Sequence, residues 1–151
     1  MAVQDWHGST PLCETSSNSH LDIAWFLVEH GANVAAQDLC GLTPLHEASL
    51  YGCLNITQSL VKHGANVTPQ DQCGLALLQN GSWNDHLDIA WFLVQHGTNM
   101  AAQDQRRSTP LHLVSSDSHL DITWFLCQAQ HQRGSPGPAQ VANLITAGQA
   151  T

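Results

Sequence analysis

Between His20 and Glu29 the chain is apolar at Leu21, Ile23, Ala24, Phe26, Leu27 and Val28 and leaves only a narrow polar stripe at Asp22 and Glu29. A helix with so little polar surface is sandwiched between neighbours rather than laid over them. The pattern returns. His20 to Asp38 (HLDIAWFLVEHGANVAAQD) recurs from His86 to Asp104 (HLDIAWFLVQHGTNMAAQD) with sixteen identities at an offset of 66, which is twice 33. A more diverged copy stands in register between them, from Cys53-Leu54-Asn55-Ile56 through Ser59-Leu60-Val61 to Gly64-Ala65-Asn66-Val67. The same period links Thr10-Pro11-Leu12-Cys13, Thr43-Pro44-Leu45-His46, Ala76-Leu77-Leu78-Gln79 and Thr109-Pro110-Leu111-His112. Residues 1–130 therefore read as one array of four units, at about 5–37, 38–70, 71–103 and 104–130, followed by a tail over 131–151. Chains below about 40 residues seldom hold a core unaided, so units of this length must stack to bury their apolar faces.

Each unit predicts two helices. In units one, two and four proline sits one residue inside the first, where its missing N–H costs nothing and its fixed φ suits the opening turn; threonine is then the natural N-cap. Before the second helix come Ser19, Gly52, Asp85 and Ser118, followed three residues later by Asp22, Asn55, Asp88 and Asp121, an approximate capping box. Gly31, Gly64 and Gly97 supply the left-handed residue that ends the second helix and releases the chain into an extended finger. The fourth unit has Gln130 there, which predicts an irregular exit.

From Asp38 to Val67 the chain reads as D-x-x-G-x-T-P-L-H-x-A, a short turn, an apolar helix and G-A-N-V, which resembles the ankyrin repeat almost residue for residue. The resemblance implies an all-α solenoid of stacked helix-turn-helix units with extended finger loops. It also implies that the rings of His46 and His112 hydrogen-bond their own turn, and that a partner protein binds on the concave side, across finger tips and the exposed faces of the first helices. Positions that vary between units without disturbing the period are free to encode recognition. In the fingers these are Trp6, His7 and Ser9; Leu39, Cys40 and Leu42; Gln72, Cys73 and Leu75; and Gln105, Arg106 and Ser108. Along the first helices they are Ser17/Asn18, Leu50/Tyr51, Trp83/Asn84 and Ser116/Asp117. The middle of this strip is apolar and aromatic and its C-terminal end gathers Arg106 and Arg107, a combination typical of an interface anchor with a charged rim. The expectation is an adaptor that holds an extended peptide or helix over fingers two and three, with an acidic group near Arg106. The plainer alternative is that Leu39 and Leu42 pack on the neighbouring fingers.

Composition narrows the classes. Four Lys and Arg against twelve Asp and Glu give a net charge of −8, which repels phosphate backbones and anionic lipid and argues against nucleic acid and membrane as partners. No apolar run approaches the roughly 20 residues that span a bilayer, and Met1 to Asp5 lacks the apolar core of a signal peptide, so a cytoplasmic location is the default expectation. Of ten histidines, His30, His63 and His96 share one repeat position and His20, His86 and His119 another. Each set is spread at the repeat spacing, too wide for zinc with its Zn–N bonds of ~2.0–2.1 Å. No nucleophile elbow, phosphate loop or H-E-x-x-H motif is present, so neither enzyme nor cofactor is expected. Cys40 and Cys73 occupy equivalent finger positions roughly 8–10 Å apart, beyond the ~7 Å Cα limit of a disulfide, and all five cysteines read as thiols.

Two further features are expectations of this reading. Trp25, Trp91 and Trp124 share one position of the second helix, with Gln58 in unit two, and fall about 50° from the polar stripe. They read either as indoles laid over the neighbouring helix or as an apolar ladder for self-association. Both ends look unfinished: Ala2-Val3-Gln4-Asp5 repeats Ala35-Ala36-Gln37-Asp38, and Val141, Leu144 and Ile145 beyond a Pro/Gly-rich connector suit either a short covering helix or a disordered tail. The alternative function is accordingly a fragment of a longer array. Unit three has Ala76, Leu77 and Gln79 in place of Thr, Pro and His, and unit four has Arg107 in place of glycine, so the junction of units three and four is expected to be the weakest.

Overall fold

The computed structural model describes residues 3–117 and 119–131. Within them eight helices form four pairs: α1 Pro11–Ser17 with α2 Leu21–Glu29, α3 Pro44–Leu50 with α4 Leu54–Lys62, α5 Leu77–Trp83 with α6 Leu87–Gln95, and α7 Pro110–Ser116 with α8 Leu120–His131. First helices pack on first helices along the chain, and second helices on second helices, which makes two layers with the core between them. Leu45, Leu60, Leu77, Leu78, Ile89, Leu93, Ile122 and Leu126 fill that core. The fingers contain no strand among the described residues, only one isolated bridge between Gln70 and Ala76. The tail beyond His131, with Val141, Leu144 and Ile145, lies outside the described residues.

The caps of the first helices follow the sequence. Thr10 and Thr43 accept the N–H groups of Cys13 and His46, each at 3.3 Å. Thr43 and Thr109 in turn donate their own N–H groups to the Nδ1 atoms of His46 and His112, at 3.1 and 3.2 Å, as the ankyrin resemblance implies. Gly31, Gly64 and Gly97 leave the second helices at φ 83, 87 and 83°. Lacking this glycine, α8 runs straight through Gln130 and reaches twelve residues against nine in α2, α4 and α6.

The turn before the second helix departs from the expected capping box. His20, Cys53 and His86 are the N-caps, without a side-chain cap bond, while Ser19, Gly52 and Asp85 take the left-handed region at φ 61, 71 and 60°. A link this short must reverse the chain in one residue, and that demand outweighs capping; Ser and Asp tolerate the conformation. The histidines act laterally instead. His86 donates Nε2–H to the Leu50 carbonyl at 3.1 Å and His119 to that of Trp83 at 2.9 Å, each tying its helix to the preceding unit.

Gln79 shows how unit three manages without its histidine. Its Oε1 accepts the Ala76 N–H at 2.8 Å, as the histidine ring does elsewhere, and its Nε2 donates to the Ser108 carbonyl of the next unit at 2.7 Å. The buried His46 imidazole faces the Pro69 and Leu75 backbone from the equivalent place, but its Nε2–H makes no hydrogen bond there. Burial holds this ring below the usual histidine pKa, against the opposing pull of Asp71. A base depressed in the folded state binds its proton more readily once unfolded. His46 therefore contributes stability that is present above the ordinary histidine pKa of about 6.5 and is lost as pH falls below it. His63 runs the other way: its contacts with the Ser59 carbonyl and then Glu29 raise its pKa, so its contribution is lost as pH rises. Urea unfolding between pH 5 and 7.5 should show His46→Gln losing less stability on acidification than the parent chain; parallel curves would exclude His46 as an acid-sensitive group.

Arg107 does adopt positive φ, at 64°. At the matching positions a Cβ on Gly8, Gly41 or Gly74 would stand 3.0, 3.1 and 3.2 Å from the backbone nitrogen of the next finger. The fourth finger has no successor among the described residues, so the side chain of Arg107 meets strain but no such neighbour. Left-handed geometry costs roughly 1–2 kcal/mol for a residue of this kind, offset in part by the greater chain entropy that glycine surrenders on folding. Arg107→Gly is expected to stabilise the fourth unit by about 0.5–1 kcal/mol, seen as slower amide exchange across α7 and α8; unchanged exchange there would show that the strain is relieved locally.

Candidate protein-binding surface

Each finger is built on one aspartate. Asp38 Oδ1 accepts the N–H groups of Cys40 and Leu42, both at 2.8 Å, and Asp71 Oδ1 those of Cys73 and Leu75, both at 2.8 Å. Asp5 and Asp104 repeat the arrangement with His7 and Ser9 and with Arg106 and Ser108. The fingers then join laterally. The His7 carbonyl accepts the Leu39 N–H at 2.9 Å, that of Cys40 the Gln72 N–H at 2.9 Å, and that of Cys73 the Gln105 N–H at 3.1 Å. Gln105 Nε2 adds a bond to the Gln72 carbonyl at 2.5 Å. The four finger tips thus form a continuous backbone-linked band.

On this band and the ends of the first helices lie the residues marked by their variation. Trp6 is 96% exposed, and His7, Leu39, Cys40, Tyr51, Gln72, Trp83, Asn84, Gln105 and Arg106 are also exposed. Leu42, Leu50 and Leu75 are half-buried and serve as much to seat the fingers as to present a surface. Histidine side chains hold these helix ends from behind, since the Leu50 and Trp83 carbonyls accept the Nε2–H groups of His86 and His119.

An acidic group that the variation between units did not mark stands at the other end of the strip. Glu47 is half-buried on α3, and its carboxyl is pushed up by burial first and then by Asp38 and Glu14. Glu14 accepts the Ser9 hydroxyl at 3.0 Å. Its only signal in the sequence is that Glu14 and Glu47 share a register position; Asn80 and Leu113 at the same place obscure it. The strip therefore runs from acidic in units one and two, through apolar, to Arg106.

The tryptophans do not form one open ladder. Trp25 and Trp124 are exposed, but Trp91 is half-covered and its buried indole N–H has no hydrogen-bond partner. All five cysteines are free, with Cys13 and Cys53 buried. Among the described residues no three His, Cys, Asp or Glu side chains are grouped to hold a metal ion, and no helix is long and apolar enough to cross a membrane. A shallow groove of about 500 Å³ lies beside the third finger, lined by Thr68, Gln70, Ala76, Asn99 and Gln103 among others, and shares no residue with the strip.

Residues 1–71 match the family model described as Ankyrin repeats (3 copies). Residues 1–71 belong to the ankyrin-repeat family. No curated protein matches it. The ankyrin helix pairs continue beyond the matched span through α5 to α8, so the fold is an all-α repeat array throughout the described residues. Ankyrin repeats generally mediate protein–protein interaction. Because each finger of this ankyrin array depends on two bonds to a carboxylate, Asp71→Ala is expected to lower unfolding free energy by about 2 kcal/mol, against under about 0.5 kcal/mol for Gln72→Ala beside it. Equal urea midpoints for the two variants would show that the carboxylate does not hold the finger.

Proposed function

We propose that this ankyrin array is a binding module without chemistry of its own, and that it holds another protein along the strip of finger tips and first-helix ends. The observation that carries this reading is the exposure of Trp6, Leu39, Tyr51 and Trp83 on a band stitched together by inter-finger hydrogen bonds. Aromatic side chains are costly to leave in water, whereas a pre-ordered backbone lowers the entropy lost on binding. The best-fitting ligand is an extended peptide or helix crossing fingers two and three. Its apolar anchors meet Leu39, Tyr51 and Trp83, and an acidic group lies toward Arg106. Glu47, with Asp38 and Glu14 beside it, sets the opposite polarity at the other end and so fixes direction, which electrostatic complementarity does better than it adds affinity.

The test is selection of a displayed random peptide library on the whole chain. Enriched peptides should carry an aromatic or leucine anchor with acidic residues on one side. Tyr51→Ala and Trp83→Ala should each weaken the selected peptides about tenfold or more, and Arg106→Glu should slow association and reverse its salt dependence. Peptides that bind all three variants as well as the parent chain would place the binding surface elsewhere.

A further inference from the structure

A second surface is read from the difference between identical sequences in different places. The isoleucine of the second helix is 50% exposed as Ile23 in the first unit, but 1% as Ile56 and 0% as Ile89 and Ile122. The phenylalanine three residues on is 54% exposed as Phe26, but 8% as Phe92 and 3% as Phe125. Sequence does not cause this, because α2 and α6 differ only at their last residue, Glu29 against Gln95. Ile56, Ile89 and Ile122 each have a unit before them among the described residues, and Ile23 has none there. His20 at the head of α2 is likewise exposed, while His86 and His119 reach back to a carbonyl of the unit before.

The opposite face of the array is open in a matching way. Leu12, Leu45 and Leu78 are buried, but Leu111 is half-exposed. Ser16, Ser49 and Ser82 are buried, but Ser115 is exposed, and Leu120 is 77% exposed where Leu54 and Leu87 are half-buried. The fourth unit keeps the residues of the second at this face: Leu111 and Leu120 stand for Leu45 and Leu54 at an offset of 66. Unit two already covers the near-copy of α2 inside the chain, in the contact of α4 with α6.

We propose that the chain stacks on itself head to tail, the fourth unit of one copy docking around Leu111 and Leu120 on the first unit of the next around Ile23 and Phe26. Charge acts only at the fingers: residues 1–61 hold six carboxylates and no Lys or Arg, and Arg106 and Arg107 of the fourth finger stand in a unit that also carries Asp104, Asp117 and Asp121, so the apolar contact sets the order. Arg107 replaces the glycine at which successive fingers touch, so the docked fingers stand further apart than within the chain and the helices carry the contact. Such a heterologous contact does not close on itself and builds open oligomers. The proposal is independent of the peptide-binding strip, which stays free along its length.

Sedimentation velocity of the full chain over a concentration series tests it, with Ile23→Glu and Leu120→Glu as the variants. Both positions are exposed, so both variants should keep the helical circular dichroism of the parent. The parent should grow beyond a dimer with concentration, and each variant alone should associate about tenfold or more weakly. Mixed in equal amounts, the two variants retain one good face each and should form a dimer that grows no further. A parent that stays monomeric at every concentration overturns the proposal, and so does a dimer that either variant alone still forms, since that contact would use other faces.

Discussion

Ile56, Ile89 and Ile122 are covered by side chains of the preceding unit, because helices of seven and nine residues cannot enclose a core between them. Lateral burial of this kind is the constraint on which the rest depends. It explains why side-chain hydrogen bonds join neighbouring units, some of them repeating at the period: His86 and His119 to helix-end carbonyls, and Gln4 and Gln70 to the glutamine carbonyls of the next finger, with Gln79 to Ser108 as a bond particular to unit three. Polar atoms brought inward by stacking must find partners in the neighbouring unit, since an unpaired buried group costs about 1–3 kcal/mol. The Trp91 indole N–H remains one of the few exceptions.

Much of the architecture was legible in the sequence because it rests on local chemistry that repeats. Pro44 and Thr43 set a helix start, Gly64 an end, and the 33-residue period the stacking. The turn between paired helices was misread for a physical reason. Ser19 and Asp85 are residue types that both cap helices and accept positive φ, and only the length of the link decides which property is used. Gln79 was read as a loss, since its replacement of histidine is visible only once the Ser108 carbonyl is in place opposite it.

The candidate surface was legible in a weaker sense. Variation between units separates scaffold from free positions, and the exposure of Trp6, Leu39, Tyr51 and Trp83 agrees with that division. The upward push on the Glu47 carboxyl was not legible, because it depends first on burial and then on Asp38 and Glu14 approaching from a finger and from a neighbouring helix. Open faces at Ile23 and Leu120 escape sequence comparison altogether: the residues are the same as in the interior, and only their neighbours differ.

The exchange of histidine for glutamine between units two and three has a consequence for how the array responds to acid. His46 and Gln79 occupy one place in the repeat and look toward the same carbonyl of the following finger, yet only the imidazole can take up a proton. Gln79 thus fastens the third unit to the fourth by a bond indifferent to pH, whereas His46 lies buried against the third finger without one. Acidification therefore weighs on the folded state where the second unit meets the third, a cost that the glutamine at the next junction does not incur.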